Sequence, residues 1–285
     1  MKQSVQKLLT TSSQKINKLD AEILLAHVIK KSRDFLFANP EFEISFWKKI
    51  KFENLVRQRQ KNIPVAYLVG HKEFFGLDFF VNKNVLVPRP DTELMVENAL
   101  QQINTSTLEH ILLIDVGTGS GCIPISIIKT LKHKNIKTIA VDVSSKALNV
   151  AKKNAKKHNV EIEFLYGNLL EPILQNSELR TKNNELIITA NLPYITEQQF
   201  KQEPSIQHEP KLALVADNDG LALYEELLQQ IKQITNTYNL KPKTYFETDP
   251  SQTEKIKILI KKYLPESNIE VKKDLAGLDR LVIIT

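Results

Sequence analysis

The residues with the clearest chemical potential form the turn Asn191-Leu192-Pro193-Tyr194, here called the Asn turn, which follows an apolar strand at residues 186–188. The Asn side chain carries a carbonyl acceptor and an NH2 donor on one short stem. Pro193 restricts the backbone and Tyr194 offers a flat face beside it. Strands of open α/β sheets deliver such residues to the edge where ligand crevices lie. The turn could therefore bind a planar amide or amine and present its nitrogen, unless it is an ordinary exit from a strand.

A second candidate is the glycine-rich turn at residues 117–121, here called the Gly turn, which follows a strand ending near Asp115 and opens a helix. Glycines permit a tight turn and close approach to a ligand, and helix N-terminal N–H groups favour an anionic group. Cys122 occupies the third position of the G-x-G-x-x-G dinucleotide pattern, which disfavours a nicotinamide cofactor. Asp142 ends the next strand and could accept both hydroxyls of a ribose. The sequence predicts a nucleoside-bearing ligand with an anionic or zwitterionic tail.

Helices are expected to dominate residues 1–70, which contain no glycine before Gly70. An i, i+3, i+4, i+7 stripe predicts one helix, and apolar spacing predicts another over residues 43–60. We expect a small helical bundle with its own core, and we expect Trp47 to lie in that core. The stripe consists of Ala21, Leu24, Leu25 and Val28.

A short hairpin turning at Gly76 is predicted within residues 71–84 as a bridge between two domains. The proline-flanked segment that follows leads to a helix at about 92–103, with Asp91 as its predicted N-cap. Arg89, fixed between two prolines, could face a ligand or only a surface carboxylate.

From about residue 85 onward, strands alternate with helices to the end of the chain. This pattern predicts a mostly parallel sheet covered on both faces. Two final strands, near 268–273 and 280–284, are separated by Gly277 and could pair as a hairpin.

Composition places few limits on function. The 285 residues are 42% hydrophobic and 25% charged, with a net charge of +6 and a pI of about 9.1, so direct binding to nucleic acid is possible but not required. The scattered histidines and the single cysteine, Cys122, predict neither a metal site nor a disulfide. Because no apolar run suggests a signal peptide or a membrane span, we expect a cytoplasmic protein without membrane partners.

Taken together, the Gly turn, Asp142 and the Asn turn resemble the motifs of class I S-adenosylmethionine-dependent methyltransferases. The Asn turn resembles the branch that methylates planar amide or amine nitrogens. The helical N-terminal region, the hairpin and the segment Pro88-Arg89-Pro90-Asp91-Thr92-Glu93 narrow the resemblance to the bacterial protein-(glutamine-N5) methyltransferases of peptide chain release factors. It covers essentially the whole chain, and residues 64–95 are its most specific part.

The resemblance implies an α/β fold, a Rossmann-like, mostly parallel, seven-stranded methyltransferase sheet with a small N-terminal helical domain. Residues 1–70 would recognise the substrate, residues 71–84 would form the linking β-hairpin, and residues 85–285 would form the methyltransferase domain. The partners would be peptide chain release factors.

The resemblance also assigns roles to particular residues. Asn191 and the main chain at Leu192 would hold the substrate amide, with Pro193 shaping the turn and Tyr194 packed against the amide. Asn168 stands where many members have Asp, and Leu192 where many have Pro. The residues expected to bind S-adenosyl-L-methionine are Gly117, Thr118, Gly119, Ser120, Gly121, Asp142, Asn168, Leu169 and Asn191.

The expected reaction is direct methyl transfer to an amide nitrogen, whose lone pair is delocalised into the carbonyl. Acceptors at Asn191 and Leu192 could hold its two N–H groups and stabilise the positive charge that grows on it. Cys122 is not expected to act as a nucleophile. The same turn also occurs in ribosomal RNA adenine methyltransferases, so adenine-N6 methylation of RNA or DNA is the alternative. A non-catalytic binding module and a nicotinamide oxidoreductase are weaker alternatives.

Overall fold

The computed structural model describes residues 3–108, 110–131, 135–174 and 184–285. The chain divides into two compact units. The N-terminal unit comprises Met1–His71 with Glu203–His208, and the sheet unit comprises Lys72–Gln202 with Glu209–Thr285.

Five helices enclose the core of the N-terminal unit, and the predicted stripe on the second helix is buried. Strand β1 (Gln3–Ser4) pairs antiparallel with β2 (Glu43–Ile44), a feature that the helical prediction missed because each strand is only two residues long. The helices are α1 (Val5–Ser13), α2 (Lys18–Ile29), α3 (Arg33–Ala38), α4 (Phe46–Arg59) and α5 (Val65–Val69).

The prediction that Trp47 belongs to the core is wrong, since its side chain is 78% exposed. Helix α4 turns Phe52, Leu55 and Val56 inward. Trp47 precedes Val56 by nine residues, which places it about 180° around a helix of 3.6 residues per turn. Its ring instead packs edge-on against the exposed Phe46, with ring centroids 5.5 Å apart.

The predicted hairpin forms between β3 (His71–Phe74) and β4 (Leu77–Phe80). Its turn residues, Phe75 and Gly76, have φ angles of 51° and 71°. Positive φ at both central positions is the geometry of the tight turns that match strand twist.

Seven strands form the main sheet, as expected, in the order β10-β11-β9-β8-β5-β6-β7. Adjacent strands from β9 to β7 are parallel, and β11 alone runs antiparallel to both of its neighbours, so the final pair is the predicted hairpin. The strands are β5 (His110–Val116), β6 (Asn135–Asp142), β7 (Glu163–Tyr166), β8 (Asn184–Ala190), β9 (Lys243–Glu247), β10 (Ile269–Lys273) and β11 (Asp279–Ile284).

Helices cover both faces of this sheet, which makes the architecture Rossmann-like. α6, α7, α8 and the β3–β4 hairpin pack on one face, and α11 and α12 pack on the other. The helices of the sheet unit are α6 (Glu93–Thr105), α7 (Cys122–Thr130), α8 (Ser145–His158), α9 (Glu197–Gln202), α10 (Asp217–Gly220), α11 (Ala222–Tyr238) and α12 (Thr253–Tyr263).

Asp91 does not cap the helix that it was predicted to begin. A 3-10 turn at Pro90–Thr92 precedes α6, and Thr92 occupies the N-cap position without a capping side-chain bond. Asp91 instead lies 3.4 Å from the guanidinium of Arg280. Because the Thr92 side chain makes no capping bond to α6, its hydroxyl is available to other hydrogen-bond partners.

Strand register aligns the chemically interesting residues at one edge of the sheet. Val116 of β5 pairs with Val141 of β6 and with Ala190 of β8, and Ala190 pairs with Phe246 of β9. The next residue along each segment therefore lies at the same edge, either as the last residue of its strand or directly after it. These residues are Gly117, Asp142, Asn191 and Glu247.

Candidate active site

A cavity of about 240 Å³ opens at this carboxyl edge of the sheet. The Gly turn, Asp142, Asn168 and the first three residues of the Asn turn contribute to its wall. Parallel strands thus bring together four segments that are separated by up to seventy residues in sequence. This is the position of ligand crevices in open α/β sheets.

The Gly turn adopts a conformation that requires glycine at Gly121, where φ is 78° and a Cβ would lie 3.0 Å from the Ile125 side chain. The backbone N–H groups of Gly117 and Thr118 both donate to the Val141 carbonyl, which fixes the turn on β6. Thr118 lines the cavity, and its buried hydroxyl lies towards the Asp115 carboxyl, where it opposes the rise in the pKa of that group.

Asp142 is held by two backbone amides, since one carboxylate oxygen accepts from Gly119 N at 2.8 Å and the other from Ser144 N at 2.8 Å. Burial raises the pKa of Asp142, and these two hydrogen bonds oppose the rise. Each oxygen keeps a further lone pair for a ligand. The carboxylate is thus a fixed double acceptor, which is what a ribose diol requires.

Asn168 follows β7 and lines the same cavity. Its Nδ2 donates to the Glu226 carboxylate at 2.5 Å, which leaves Oδ1 as the open end of the amide. Leu169 lies beside it in the wall with a φ of 47°. Asn168 and Leu169 thus offer one hydrogen-bond acceptor next to an apolar surface. This combination suits a purine ring that carries an exocyclic amine.

Asn191 donates from Nδ2 to the hydroxyl of Thr92 at 3.2 Å, so its Oδ1 is the end left open. The hydroxyl of Tyr224 lies 3.3 Å from the Leu192 carbonyl and 2.5 Å from the Glu247 carbonyl. One hydroxyl proton favours the shorter contact, so the Leu192 carbonyl keeps acceptor capacity. Asn191 and Leu192 therefore supply two neighbouring oxygen acceptors.

Tyr194 is the one residue of the Asn turn that does not line the cavity. Its ring packs against the core on the α11 face, and its carbonyl accepts from Gln252 Nε2 at 2.8 Å. Burial raises the pKa of the Tyr194 hydroxyl to about 12, so it stays neutral. The structure thus places Tyr194 as a support of the turn.

Two buried carboxyl groups lie behind the cavity. Asp115 accepts from the Thr189 hydroxyl at 2.7 Å, and burial raises its pKa to about 7. Burial likewise raises the pKa of Glu247 to about 7, opposed by the nearby Thr92, Arg280 and Asn191 side chains. Sequence reasoning missed Glu247, although a carboxylate at the end of a strand is the same signal that identified Asp142.

Arg89 lines the cavity and pairs with a carboxylate, but that carboxylate is buried and not at the surface, as one of the two predicted alternatives had it. Its guanidinium pairs at 2.5 Å with Glu209, whose other oxygen accepts from Val87 N. Glu209 is almost fully buried. The pair fixes the proline-rich segment against the residues at 210–213 that form part of the cavity wall.

Cys122 also borders the cavity, but burial raises the pKa of its thiol to about 12. A protonated thiol is a weak nucleophile, so covalent catalysis through Cys122 is disfavoured. Among the residues that the structure describes, no group of three His, Cys, Asp or Glu side chains could hold a metal ion. Within the same residues, membrane-spanning length and apolarity do not coincide in any helix.

Two domain families match the chain. The family described as PrmC N-terminal domain matches residues 3–70, and a methyltransferase domain family matches residues 109–263. The two matches fall on the helical region and on the sheet with its cavity.

Curated relatives match most of the length of the chain. The release factor glutamine methyltransferase of Bacillus anthracis is 34% identical over 92% of this chain and 90% of its own length. That of Enterococcus faecalis is 39% identical over 77% of this chain and 75% of its own. Among solved structures, the hMettl16 catalytic domain with an RNA hairpin has a TM-score of 0.55 at 15% identity, covering 92% of this chain and 90% of that one. At that identity the likeness concerns the fold alone.

Proposed function

The chain belongs to the release factor glutamine methyltransferases, and from that premise we propose that it methylates the side-chain N5 of a glutamine in a peptide chain release factor. The methyl donor is S-adenosyl-L-methionine. The observation that carries the proposal is that Asn191 and Leu192 both line the cavity, with Asn191 Oδ1 at the end opposite the bond to Thr92 and the Leu192 carbonyl engaged only by a long 3.3 Å contact from Tyr224. Their partner would be the NH2 of a carboxamide.

We assign the cofactor to the part of the wall beside these acceptors, at the ends of β5, β6 and β7, where the residues fit its parts. Thr118 and the backbone of the Gly turn, which line the cavity, suit the polar amino acid end. The carboxylate of Asp142 suits the ribose diol. Asn168 Oδ1 suits the adenine amino group, because Glu226 already accepts from the amide nitrogen.

The chemistry that the cofactor supplies is an electrophilic methyl group on a sulfonium. The protein orients the acceptor: Asn191 and Leu192 each accept one N–H of the substrate amide and aim its nitrogen. Both oxygens accept stronger hydrogen bonds as positive charge grows on that nitrogen. They therefore stabilise the transition state more than the bound substrate, which lowers the barrier to methyl transfer. Fixing the two reactants in line could contribute about 7–11 kcal/mol. The surplus proton leaves to water.

We further propose that the N-terminal unit recognises the release factor. Residues 1–71 contain 13 Lys and Arg against 6 Asp and Glu, so they alone exceed the +6 net charge of the whole chain. The exposed Phe46 and Trp47 sit among these basic residues. Exposed aromatics within a polar rim are typical of protein-binding surfaces. An acidic face of the release factor is the partner that suits this surface. With a release factor as its substrate, the protein would be located in the cytoplasm.

The decisive experiment incubates the protein with labelled S-adenosylmethionine and, separately, a bacterial release factor or ribosomal RNA. Mass mapping should locate one added methyl group on a glutamine of the release factor. Label in adenine of the RNA, with none in the release factor, would favour the alternative of base methylation.

The cofactor assignment predicts that Asp142→Ala weakens S-adenosylmethionine binding by about 1.5–3 kcal/mol, the range for hydrogen bonds to a charged group. Isothermal titration calorimetry measures this directly. Asp279→Ala, which removes a half-buried carboxylate of β11 paired with Lys273 of β10, is the matched control. Equal affinity of Asp142→Ala and the control would remove Asp142 from the cofactor site.

A further inference from the structure

A buried carboxyl group lies immediately behind the acceptor Asn191. Glu247 ends β9 and is 2% exposed, and its Oε2 has no hydrogen-bond partner. Asn191 and Glu247 directly follow Ala190 and Phe246, which pair between β8 and β9, and the side chains of Thr92 and Asn191 oppose the effect of burial on the pKa of Glu247. Thr92 also accepts from Asn191 Nδ2 at 3.2 Å. The three side chains therefore form one buried polar chain that ends at the cavity.

The polarity of this chain follows from donor and acceptor chemistry. An ionised carboxylate only accepts hydrogen bonds, so the Thr92 hydroxyl must donate towards Glu247. Having used its one proton, that hydroxyl can only accept from Asn191. The amide nitrogen of Asn191 must then face inward, which leaves Oδ1 facing the cavity.

We propose that Glu247 is a positioning residue that sets, through Thr92, which end of the Asn191 amide faces the substrate. The proposal rests on the proposed function, because an acceptor is needed only if the substrate presents N–H groups. If a hydrogen-bond donor replaces the carboxylate of Glu247, Thr92 could donate to Asn191 Oδ1 instead of to residue 247. The Asn191 amide would then rotate and present its NH2 to the NH2 of the substrate amide.

The surroundings of Glu247 are mixed in charge. Arg280 of β11 favours its ionised form, and Asp91 beside α6 disfavours it. Three further titratable groups feel its charge and stay neutral near pH 7 because burial raises their pKa values. They are Tyr194, Tyr224 and Cys122. Glu247 therefore changes charge near neutrality whereas these three groups do not; Asp115, whose pKa is also about 7, lies two strands away on β5.

The test compares Glu247→Gln with wild type in glutamine methylation of a release factor. Glu247→Gln keeps the shape but adds a donor, so we expect kcat to fall about 10²-fold, as when one transition-state hydrogen bond is lost. Affinity for S-adenosylmethionine, measured by calorimetry, should not change. Thr92→Val should reproduce the loss, whereas Thr92→Ser keeps the hydroxyl and should retain activity. Glu185→Gln makes the same change near the amino end of β8, whereas Asn191 follows the carboxyl end, and it is the matched control.

The pH dependence of thermal stability distinguishes the proposed role of Glu247 from a purely structural one. The folded-state pKa of Glu247, about 7, lies above its ordinary value of 4.5. Its contribution to stability is thus fully present below about pH 4.5 and is lost as the pH rises through 7. Glu247→Gln should therefore melt at a higher temperature than wild type at pH 8, and at the same temperature at pH 4.5.

Activity should depend on pH in the opposite sense. The wild-type kcat should decline as the pH falls through about 7, because protonated Glu247 can donate, and Glu247→Gln should lack this decline. Wild-type activity on the release factor with no loss in Glu247→Gln would overturn the proposal, and so would a Glu247→Gln variant that is both less active and less stable at pH 8. Absence of wild-type activity on any release factor would instead overturn the proposed function.

Discussion

Two asparagine amides at the cavity are each held through their nitrogen by a neighbouring oxygen. Asn191 donates to Thr92, and Asn168 donates to Glu226. In both cases the partner determines that the carbonyl end faces the cavity. For Asn168, the Glu226 carboxylate explains how an amide can stand where many family members have a carboxylate. The residue type changes, but an acceptor is still presented.

At Asn191 this arrangement leads to a direct prediction. Asn191→Ala removes one of two acceptors for the substrate amide, so kcat should fall about 10²–10³-fold. Asn191→Asp keeps an acceptor but loses the nitrogen that donates to Thr92, and its charge would stabilise the bound cofactor as much as the transition state. It should therefore not restore the rate. Single-turnover methylation of a release factor measures both variants.

Both Asn191 variants should bind S-adenosylmethionine and unfold like the wild type, which calorimetry and thermal melting would establish. Near wild-type methylation by Asn191→Ala would mean that the Asn turn has only a structural role.

At the scale of secondary-structure elements, one side chain of α8 connects two separate parts of the sheet unit. Asn154 is fully buried, accepts from Phe80 N at 2.8 Å and donates to Phe80 O at 3.0 Å. It also donates to the Ser120 carbonyl at 2.9 Å. The β3–β4 hairpin and the Gly turn are thus both attached to α8. Nothing in the local sequence singles out this asparagine among the polar residues of its helix.

Removing this connection should affect stability and cofactor binding together. Asn154→Ala leaves a buried N–H and two buried carbonyls without partners, so unfolding free energy should fall by about 3 kcal/mol. Urea denaturation measures the loss, and calorimetry should show weaker S-adenosylmethionine binding because the Gly turn loses an anchor. Asn98→Ala, which removes only a bond within α6, is the control. Equal stability of the two variants would contradict the assigned role of Asn154.

At the scale of the whole molecule, charge is distributed unevenly along the chain. The N-terminal 71 residues hold the entire positive excess, and the remaining 214 are close to neutral. The cavity with its acceptors lies in the sheet unit, whereas the basic surface with its aromatic pair lies in the N-terminal unit. Recognition of the release factor and methyl transfer are accordingly proposed for different units.

This division predicts that Trp47→Ala affects substrate recognition alone. The KM for the release factor should rise about tenfold, since removing an aromatic anchor typically costs more than about 1 kcal/mol of binding. The kcat, the affinity for S-adenosylmethionine and the melting temperature should stay close to wild type. Leu275→Ala removes a fully exposed apolar side chain from the loop between β10 and β11 and serves as control. An unchanged KM for Trp47→Ala would remove the aromatic pair from the recognition surface.

The sequence by itself determined the order of elements, the parallel sheet and the two turns that meet at its edge. These features depend on local periodicity, on glycines with positive φ and on the rule that parallel strands end at one edge. Asp142 and Asn191 could be found for this reason, since each directly follows an apolar strand. The family resemblance supplied the expected cofactor and acceptor, which the 34% identical relatives support.

Only the tertiary structure decided which partners hold the reactive groups. Thr92 and Glu247 lie 155 residues apart, and both reach Asn191 because α6 and β9 pack around β8. The same applies to Glu226 behind Asn168 and to the outward face of Trp47, where helix phase rather than residue type sets exposure. Such pairings depend on side-chain direction across separate elements, and periodicity along one segment carries no information about them.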